Sequence, residues 1–301
     1  MATSAKLSSN TPDEIFLDSD GVSLCLLVNR RARTIRVIDF RSGPNPAKRV
    51  LVMGLAVREG LERVFTVVEK DEVGAWSRLG FAREGTIPGF YKRSDGWVLG
   101  ASAPTPADDP GQSGLRPALA AGRDEEAHHE RLYQAARKLA KARAAEALPP
   151  VKVQPAREAD FARALATASR QHRALTSFEP FGRGTERVDF ACTARGGFSL
   201  MASVETQACF DNAFIELLAS PRSAKESALT AAAISRIAQL LVERAVVSAF
   251  ALTPVEDVEL GSAYALNGFR RTGVLAKHLR VGGVRRDAFL WSRKLGQPAD
   301  D

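Results

Sequence analysis

The feature that most constrains this chain is a short segment that occurs twice. Residues 75–85 read A-W-S-R-L-G-F-A-R-E-G, and residues 263–273 read A-Y-A-L-N-G-F-R-R-T-G, with no gap between the two copies. In each copy a glycine closes a short helical pattern and a phenylalanine opens a strand pattern. Two copies in the same structural position predict two related domains.

The length and a change of composition indicate where these domains lie. With 301 residues, 45% of them apolar, the chain is long enough for two globular domains. Residues 101–122 are rich in Pro, Ala, Gly and Asp, which is typical of a linker. Residues 123–147 are rich in helix formers and predict a bridging helix. We therefore expect an N-terminal domain at 1–103, a linker with the bridging helix at 104–150, and a C-terminal domain at 151–301.

The bridging helix contains two adjacent histidines, His128 and His129, without a partner at helical spacing. Adjacent residues point to different sides of a helix, so the pair does not form a site. We expect both side chains at the solvent-exposed surface.

The pattern of elements predicts an α+β fold in both halves. The predicted elements of the N-terminal half are strands at 22–28, 34–40 and 62–68, helices at 46–60 and 71–79, and strands near 81–87 and 97–101. Those of the C-terminal half are a helix at 157–170, strands near 187–193, 197–205 and 210–218, a long helix at 223–244, a strand at 245–253, a helix at 256–267 and a final hairpin. The strand at 245–253 is almost wholly apolar and should be central, and Gly282-Gly283 supplies a tight turn for the hairpin.

Charge and cysteine content exclude several classes of protein. The net charge of +7 is moderate, and the basic runs at 30–33 and 285–286 have no interleaved aromatic residues, so nucleic-acid binding is disfavoured. Cys25, Cys192 and Cys209 are far apart and outside C-x-x-C spacing, which argues against a disulfide framework or a zinc site. We expect no metal and a reducing, cytoplasmic setting.

Membrane association is not expected either. The chain has no uninterrupted apolar stretch of about 20 residues. Its first residues, M-A-T-S-A-K-L-S-S-N, lack an apolar secretory core.

The order of elements in residues 157–295, with A-Y-x-x-x-G-F at 263–269, resembles the GNAT acetyltransferase superfamily. This resemblance implies a mixed, V-splayed sheet, flanked by helices, that holds acetyl-CoA as a co-substrate. The segments E-G-T-I-P-G-F-Y at 84–91 and G-F-R-R-T-G-V-L-A-K-H-L-R-V-G-G at 268–283, with Trp291 in the final strand, are similar to the bacterial β-lysine N-acetyltransferase family. In that family a reduced, GNAT-like N-terminal half precedes the GNAT domain.

The resemblance implies acetyl transfer to a small-molecule amine, β-lysine-like or another amino compound. An ammonium with a pKa of about 10.4 must lose a proton before it attacks, and the leaving thiolate needs one. Tyr264, four residues before Gly268, matches the acid of the superfamily, and Glu216 is the candidate base, with Glu205 in reserve. The alternatives are a packed tyrosine and a solvent-facing glutamate. Trp76 takes the tyrosine's place in the first copy, and its indole cannot serve as the acid, so residues 1–100 are not expected to catalyse.

The expected coenzyme-A loop departs from the superfamily. The usual glycine-rich stretch is replaced by P-R-S-A-K-E-S-A at 221–228, without a glycine. Ser223 and Glu226 form an S-x-x-E capping box, whose carboxylate competes with a phosphate for the helix N–H groups, while Arg222 and Lys225 attract an anion. The residues assigned to cofactor binding by the resemblance are Leu218, Ala219, Arg222, Lys225, Glu226, Ser227 and Ala228.

The acceptor region departs as well. Where the family has an Asn pair, this chain has Lys277 and His278, which become the candidate substrate-binding residues. Lys277 would repel a cationic substrate unless it points outward from the hairpin. His278 could act on protons near neutral pH or simply pack.

Two functions follow, and they belong to different classes. The first is an acetyl-CoA-dependent N-acetyltransferase with its site in residues 151–301. The second is an inactive pseudo-acetyltransferase that serves as a binding or regulatory scaffold, which the glycine-free loop favours. A protein with either function is compatible with a homo-oligomer.

Overall fold

The structure, a computed structural model, describes residues 13–19, 21–104, 115–175 and 181–297, with the backbone alone for 115–123. In this part of the chain lie thirteen strands and six α-helices, as the α+β prediction requires. The strands are β1 (Asp13–Ser19), β2 (Val22–Asn29), β3 (Thr34–Asp39), β4 (Arg63–Val68), β5 (Ala82–Ile87), β6 (Gly96–Ser102), β7 (Lys152–Pro155), β8 (Glu186–Ala194), β9 (Phe198–Gln207), β10 (Asn212–Leu217), β11 (Ser248–Pro254), β12 (Arg270–Val281) and β13 (Val284–Lys294). The helices are α1 (Pro46–Arg58), α2 (Val73–Arg78), α3 (Leu115–Arg143), α4 (Glu158–Arg170), α5 (Ala224–Glu243) and α6 (Val258–Leu266).

All thirteen strands form one mixed sheet. Its order is β1-β2-β3-β4-β6-β5-β12-β13-β11-β10-β9-β8-β7. The parallel pairs are β3 with β4 and β10 with β11, and each is connected through a helix, α1 or α5. We call β1–β6 the N-terminal half and β7–β13 the C-terminal half. Because the sheet is continuous across both halves, the domain bounds at 103 and 150 stay a prediction.

The repeated segment occupies the same position in both halves. Each copy forms a short helix after a parallel strand, α2 after β4 and α6 after β11. Gly80 and Gly268 have φ of 79° and 77°, and the N–H groups of Phe81 and Phe269 reach back to the carbonyls of Trp76 and Tyr264, both at 3.2 Å. This is the hydrogen bond of a Schellman motif, which needs a left-handed residue that glycine supplies without strain.

The central strand and the final hairpin agree with the sequence pattern. β11 lies between β13 and β10, and all but one of its residues are buried. Gly282 and Gly283 both have positive φ, 59° and 82°, and join β12 to β13 where Val281 faces Val284. The two positive values are those of a two-residue hairpin turn.

Three parts of the sequence prediction need correction. Strands β1 and β7 were not predicted, and both are short edge strands with few buried residues. Helix α3 begins at Leu115, inside the stretch predicted as linker, and residues 105–114 of that stretch lie outside the described residues. His129 is buried rather than solvent-exposed, and its Nε2 lies 3.1 Å from a carboxylate oxygen of Asp287. His128 is exposed as expected.

The two halves join where the copies of the repeat meet. β5 pairs with β12 in antiparallel fashion, and the paired residues are Gly85 and Gly273, which are equivalent in the two copies. A Cβ on Gly85 would lie 3.0 Å from the Cα of Gly273, and a Cβ on Gly273 would collide with the backbone of Glu84. Equivalent residues facing each other in an antiparallel pair indicate a local two-fold relation between the halves.

A shared apolar core backs this join. Phe90 and Ile87 of the N-terminal half pack with Phe214, Phe250 and Leu290 of the C-terminal half, and all five are buried. Two hydrogen bonds across the halves accompany them: Asn212 Nδ2 to the carbonyl of Phe90 at 2.7 Å, and Ser248 Oγ to that of Pro88 at 2.6 Å. The N-terminal half is therefore held close to the β10 and β11 strands.

We predict that Gly273→Ala weakens this join. The added methyl group forces the two strands apart, which should lower the free energy of unfolding by about 1–3 kcal/mol. The control is Gly54→Ala in α1, where a Cβ meets no atom within 4 Å; helix propensity should raise stability there by up to about 1 kcal/mol. Urea denaturation followed by circular dichroism measures both. Equal stability of Gly273→Ala and the unmodified chain would contradict the assigned close approach.

Candidate active site

The central parallel pair stops pairing before its strands end. β10 and β11 pair from Asn212 with Ser248 to Ile215 with Ala251, whereas β10 runs on to Leu217 and β11 to Pro254. Beyond Ile215 and Ala251, each strand pairs only with its outer neighbour, β9 or β13. The inner edges of the two strands thus present backbone polar groups to the gap between them, and such groups require hydrogen-bond partners. This is the splay that the superfamily resemblance implies.

Glu216 is the first residue of β10 beyond the last pair. Side chains alternate along a strand, so Glu216 lies on the same face as Phe214, while Ile215 and Leu217 belong to the core beneath α5 and α6. The carboxylate of Glu216 lies 3.7 Å from Nη2 of Arg187, whose Nε also binds the hydroxyl of Ser203 at 2.6 Å. Glu216 is therefore held as part of an ion pair.

A cavity of about 730 Å³ adjoins this face. Residues of the C-terminal half that line it include Glu216, Leu252 and His278, together with α4. The N-terminal half closes it with Arg31 and Ala32 of the β2–β3 turn and with Arg36 of β3. The turn is fixed by Arg285, whose Nη2 donates to the carbonyls of Ala32 and Arg33 at 2.6 and 2.7 Å. The cavity is thus formed by both halves.

Tyr264 lies in α6 and is 1% exposed. Its ring packs edge-on against Phe269, with centroids 5.2 Å apart, and parallel to Trp291 at 6.4 Å. Burial raises the pKa of Tyr264 well above its usual value, and the negative charge of Glu216 raises it further. The phenol is therefore protonated near neutral pH. Tyr264 belongs to the core beneath α5 and α6 and is not among the residues that line the cavity, whereas Glu216 is.

The capping box predicted at the start of α5 is formed in part: the N-cap Ser223 is in place, whereas the Glu226 carboxylate binds the N–H of Arg222, one residue before the cap. The Ser223 hydroxyl accepts from the N–H of Glu226 at 3.2 Å. The Glu226 carboxylate accepts from the N–H of Arg222 at 2.8 Å and also binds its guanidinium. These hydrogen bonds lower the pKa of Glu226, so a negative charge already lies at the turn where the resemblance places a diphosphate.

The other predicted cofactor residues lie around this turn. Ser227 is buried, and its hydroxyl accepts from Nη1 of Arg143 at 2.8 Å. Arg143, at the end of α3, binds Glu259 of α6 at 2.8 Å through the same nitrogen. Leu218 is buried, with its carbonyl accepting from Leu175, and Lys225 is exposed. Ala219 and Ala228 are partly exposed.

The two predicted acceptor residues differ sharply in exposure. Lys277 is exposed, has φ of 48° and lies in an irregular part of the β12–β13 pair, outside the lining of the cavity. His278 is 7% exposed, packs edge-on against Phe65 at 4.8 Å and lines the cavity. Among the described residues, its Nδ1 has no hydrogen-bond partner. Burial lowers the pKa of His278 well below its usual value, and the charges of Arg63 and Arg285 lower it further, so the imidazole is neutral.

The N-terminal half lacks the equivalent groups. Its parallel pair, β3 with β4, also stops early, at Val37 with Thr66. The residue that follows on β3 is Ile38, where β10 has Glu216, and Trp76 stands where α6 has Tyr264. At the start of α1 the ammonium of Lys48 is 1% exposed and binds the Asp39 carboxylate at 2.5 Å.

The reserve candidate Glu205 has a different task. Its two carboxylate oxygens accept the N–H groups of Phe181 and Gly182, both at 2.6 Å. Burial raises the pKa of Glu205, and the two hydrogen bonds lower it by less. Glu205 therefore holds the backbone next to the cavity, and it is not among the residues that line the cavity.

Two features of the site have no signal in the sequence. Arg36 and the β2–β3 turn come from the N-terminal half, and only the join of β5 to β12 places them at the cavity.

A separate cluster of possible metal ligands consists of Glu125, His129 and Asp287. Its ligand atoms lie within 4.8 Å of one another. The His129–Asp287 contact accounts for two of its members, and Asp287 also accepts the N–H of Lys277 at 2.7 Å.

In the described part of the chain, no helix is both long and apolar enough to cross a membrane. No protein-family model matches this chain, and no curated protein matches it.

Solved acetyltransferase structures are similar to about half of the chain. The spermidine N-acetyltransferase of Vibrio cholerae, in complex with CoA and spermine, is 12% identical, with 48% of this chain and 95% of that chain covered and a TM-score of 0.40. RimJ of Mycobacterium smegmatis, in complex with CoA-disulfide, is 19% identical over 48% and 81% of the two chains, with a TM-score of 0.37. The narrower resemblance to the β-lysine N-acetyltransferase family stays a prediction. At these identities and scores, function has to be inferred from the residues of this chain.

We predict that His278 makes the protein less stable in mild acid. In the unfolded chain the imidazole binds a proton below about pH 6.5, whereas in the folded protein it stays neutral. The contribution of His278 to the free energy of unfolding is complete above that pH. It decreases as the pH falls towards the pKa of the folded state, by up to about 1.4 kcal/mol for each pH unit. Urea unfolding between pH 7.5 and 5 should therefore show a shallower loss in His278→Gln. The same slope in both proteins would contradict a buried neutral histidine.

Proposed function

We propose that the protein is an N-acetyltransferase that transfers an acetyl group from acetyl-CoA to a small-molecule amine. The observation that carries the proposal is the gap after Ile215 and Ala251, with Glu216 on its edge. An extended arm that bears amides can bind the free strand edges there, as a peptide binds a sheet edge. The same gap leads to a cavity in which an amine can reach a carboxylate.

The residues then have distinct roles. Glu216 accepts a proton from the ammonium, directly or through water, and the freed amine attacks the thioester carbonyl carbon. Backbone N–H groups of the separated strands stabilise the carbonyl oxygen as it gains charge. Glu216 releases the first proton to solvent, the C–S bond breaks, and Tyr264 gives its proton to the thiolate. The nitrogen then loses its second proton to Glu216, and the Tyr264 phenolate takes up a proton from solvent to complete the cycle.

Burial has two effects on Tyr264. It keeps the phenol protonated, as an acid must be, but a raised pKa also makes it a weaker donor. Donation to the thiolate is favourable only because the same water-poor site makes the thiolate more basic. Tyr264 can therefore act as the acid only while water is excluded from the site.

The diphosphate of the coenzyme has to bind at the first turn of α5. Arg222 and Lys225 provide positive charge, and the helix dipole adds to it. The Glu226 carboxylate must give up its contacts with Arg222, since both anions use the same groups. Leu218, Ala219, Ser227 and Ala228 are the remaining contacts that we assign to the coenzyme.

A second candidate function rests on Arg143. Its bonds to Ser227 and Glu259 tie the end of α3 to α5 and α6 next to the proposed diphosphate site. A protein in which this contact and the Glu226 cap are permanent would keep the fold and bind no coenzyme. It would serve as a binding or regulatory scaffold.

Calorimetry with acetyl-CoA separates the two functions. The enzyme predicts micromolar affinity, and Glu226→Ala should tighten it about 2- to 5-fold, because one competing charge is worth about 0.3–1 kcal/mol at a helix N-terminus. Arg236→Ala, in the exposed middle of α5, is the control and should leave the affinity unchanged. No heat at millimolar acetyl-CoA with the unmodified chain would support the scaffold.

Tyr264→Phe tests the proposed acid. Turnover, followed as release of free thiol from acetyl-CoA with an amine that the enzyme accepts, should fall by about 10²–10⁴-fold. Affinity for acetyl-CoA should stay within a factor of two, since the ring and its packing remain. Unchanged turnover would remove Tyr264 from the mechanism.

A further inference from the structure

The cavity beside Glu216 has charges of opposite sign on different walls. Its acidic residues, Glu158 and Glu216, lie on α4 and β10 of the C-terminal half. Its basic residues are Arg31 and Arg36 of the N-terminal half, and Arg280 on β12 next to the β12–β13 turn. A ligand that fits both walls carries a positive and a negative group at opposite ends.

Arg36 marks the buried end of the basic wall. It is 7% exposed, its guanidinium lies 4.4 Å from the centre of the Phe181 ring, and Nη1 donates to the carbonyl of Phe181. Arg36 lines the cavity at this end. Its guanidinium therefore places a positive charge beside an anionic group bound there.

Much of the remaining lining of the cavity is apolar. Phe65, Phe181 and Phe214 line it, with ring centroids 5.7 Å apart for Phe65 and Phe181 and 5.0 Å apart for Phe181 and Phe214. Leu252 and Leu279 add aliphatic surface. Aromatic surfaces of this kind favour a ligand with a flat apolar body.

We propose that this cavity binds an amphipathic amine with an aromatic or similarly apolar body. Its amine meets Glu216, and its anionic group meets the arginines of the N-terminal half. The position of the amine rests on the proposed function, whereas the anionic and apolar contacts do not. The N-terminal half thus selects the acceptor, and a hydrophilic diamine, which lacks both the anion and the apolar body, binds poorly.

The test uses the full chain without coenzyme and a fluorescent reporter, anilinonaphthalene sulfonate, which combines fused aromatic rings with an anion. It should bind saturably to the folded protein. Arg31→Glu should weaken binding about 3- to 10-fold, because an attractive charge becomes a repulsive one. Arg41→Glu makes the same charge change in the same half at an exposed residue outside the cavity lining, and it should leave the affinity unchanged.

Displacement of the reporter then tests the three parts of the ligand. Para-(aminomethyl)phenylacetate has the amine, the ring and the carboxylate, whereas benzylamine and phenylacetate each lack one charge. The complete molecule should displace the reporter at a concentration at least about 10-fold lower than either fragment, since each charge-assisted contact contributes more than a neutral one. With the Arg31→Glu variant, the complete molecule should displace the reporter no better than benzylamine does. With Glu216→Gln, it should displace the reporter no better than phenylacetate does.

The inference is overturned if the reporter does not bind saturably, if Arg31→Glu and Arg41→Glu lose affinity equally, or if the complete molecule displaces no better than its fragments. Melting temperatures of all variants, measured in parallel, confirm that each is folded at the titration temperature. Failure of acetyl-CoA to bind would overturn the proposed function while leaving these titrations intact. If Glu216→Gln alone leaves displacement by the complete molecule unchanged, the assigned position of the amine is overturned.

Discussion

The structure depends on the close approach of two strands at Gly85 and Gly273. Only residues without a Cβ allow β5 and β12 to pair at this point. This pairing joins two similar halves into one sheet and lets Phe90 pack against Phe250 at a centroid distance of 5.9 Å. It also places the β2–β3 turn of one half over the cavity of the other. Without this join, the C-terminal half would present an open cleft.

The two halves have similar elements but differ in chemistry. Both contain a parallel pair that stops early, but only the C-terminal half has a carboxylate and a phenol there, Glu216 and Tyr264. In the N-terminal half, Lys48 occupies the helix start with an ammonium bound to Asp39. The Lys48 ammonium also donates to the carbonyls of Arg41 and Gly43, so its three donors are all in use and none is left for a diphosphate. This half lacks the groups that we assign to catalysis and, on our account, provides recognition.

The sequence predicts much of the fold because its strongest signals are local. The helix-ending glycines, the Gly282-Gly283 turn and the apolar run of β11 each specify their own backbone. The edge strands β1 and β7 lack such a signal, since few of their side chains are buried. The Ser223 cap of α5 was predictable for the same local reason. The burial of His278 and the place of Arg36 were not, because both depend on contacts between residues that are more than 100 positions apart.

A crystal structure of the full chain soaked with acetyl-CoA tests the central claim most directly. We expect the diphosphate at the first turn of α5, with Arg222 released from Glu226, and the thioester between β10 and β11 within reach of Glu216. Coenzyme bound at another surface, or an unchanged contact between Arg143, Ser227 and Glu259 with no ligand at saturating concentration, would contradict it.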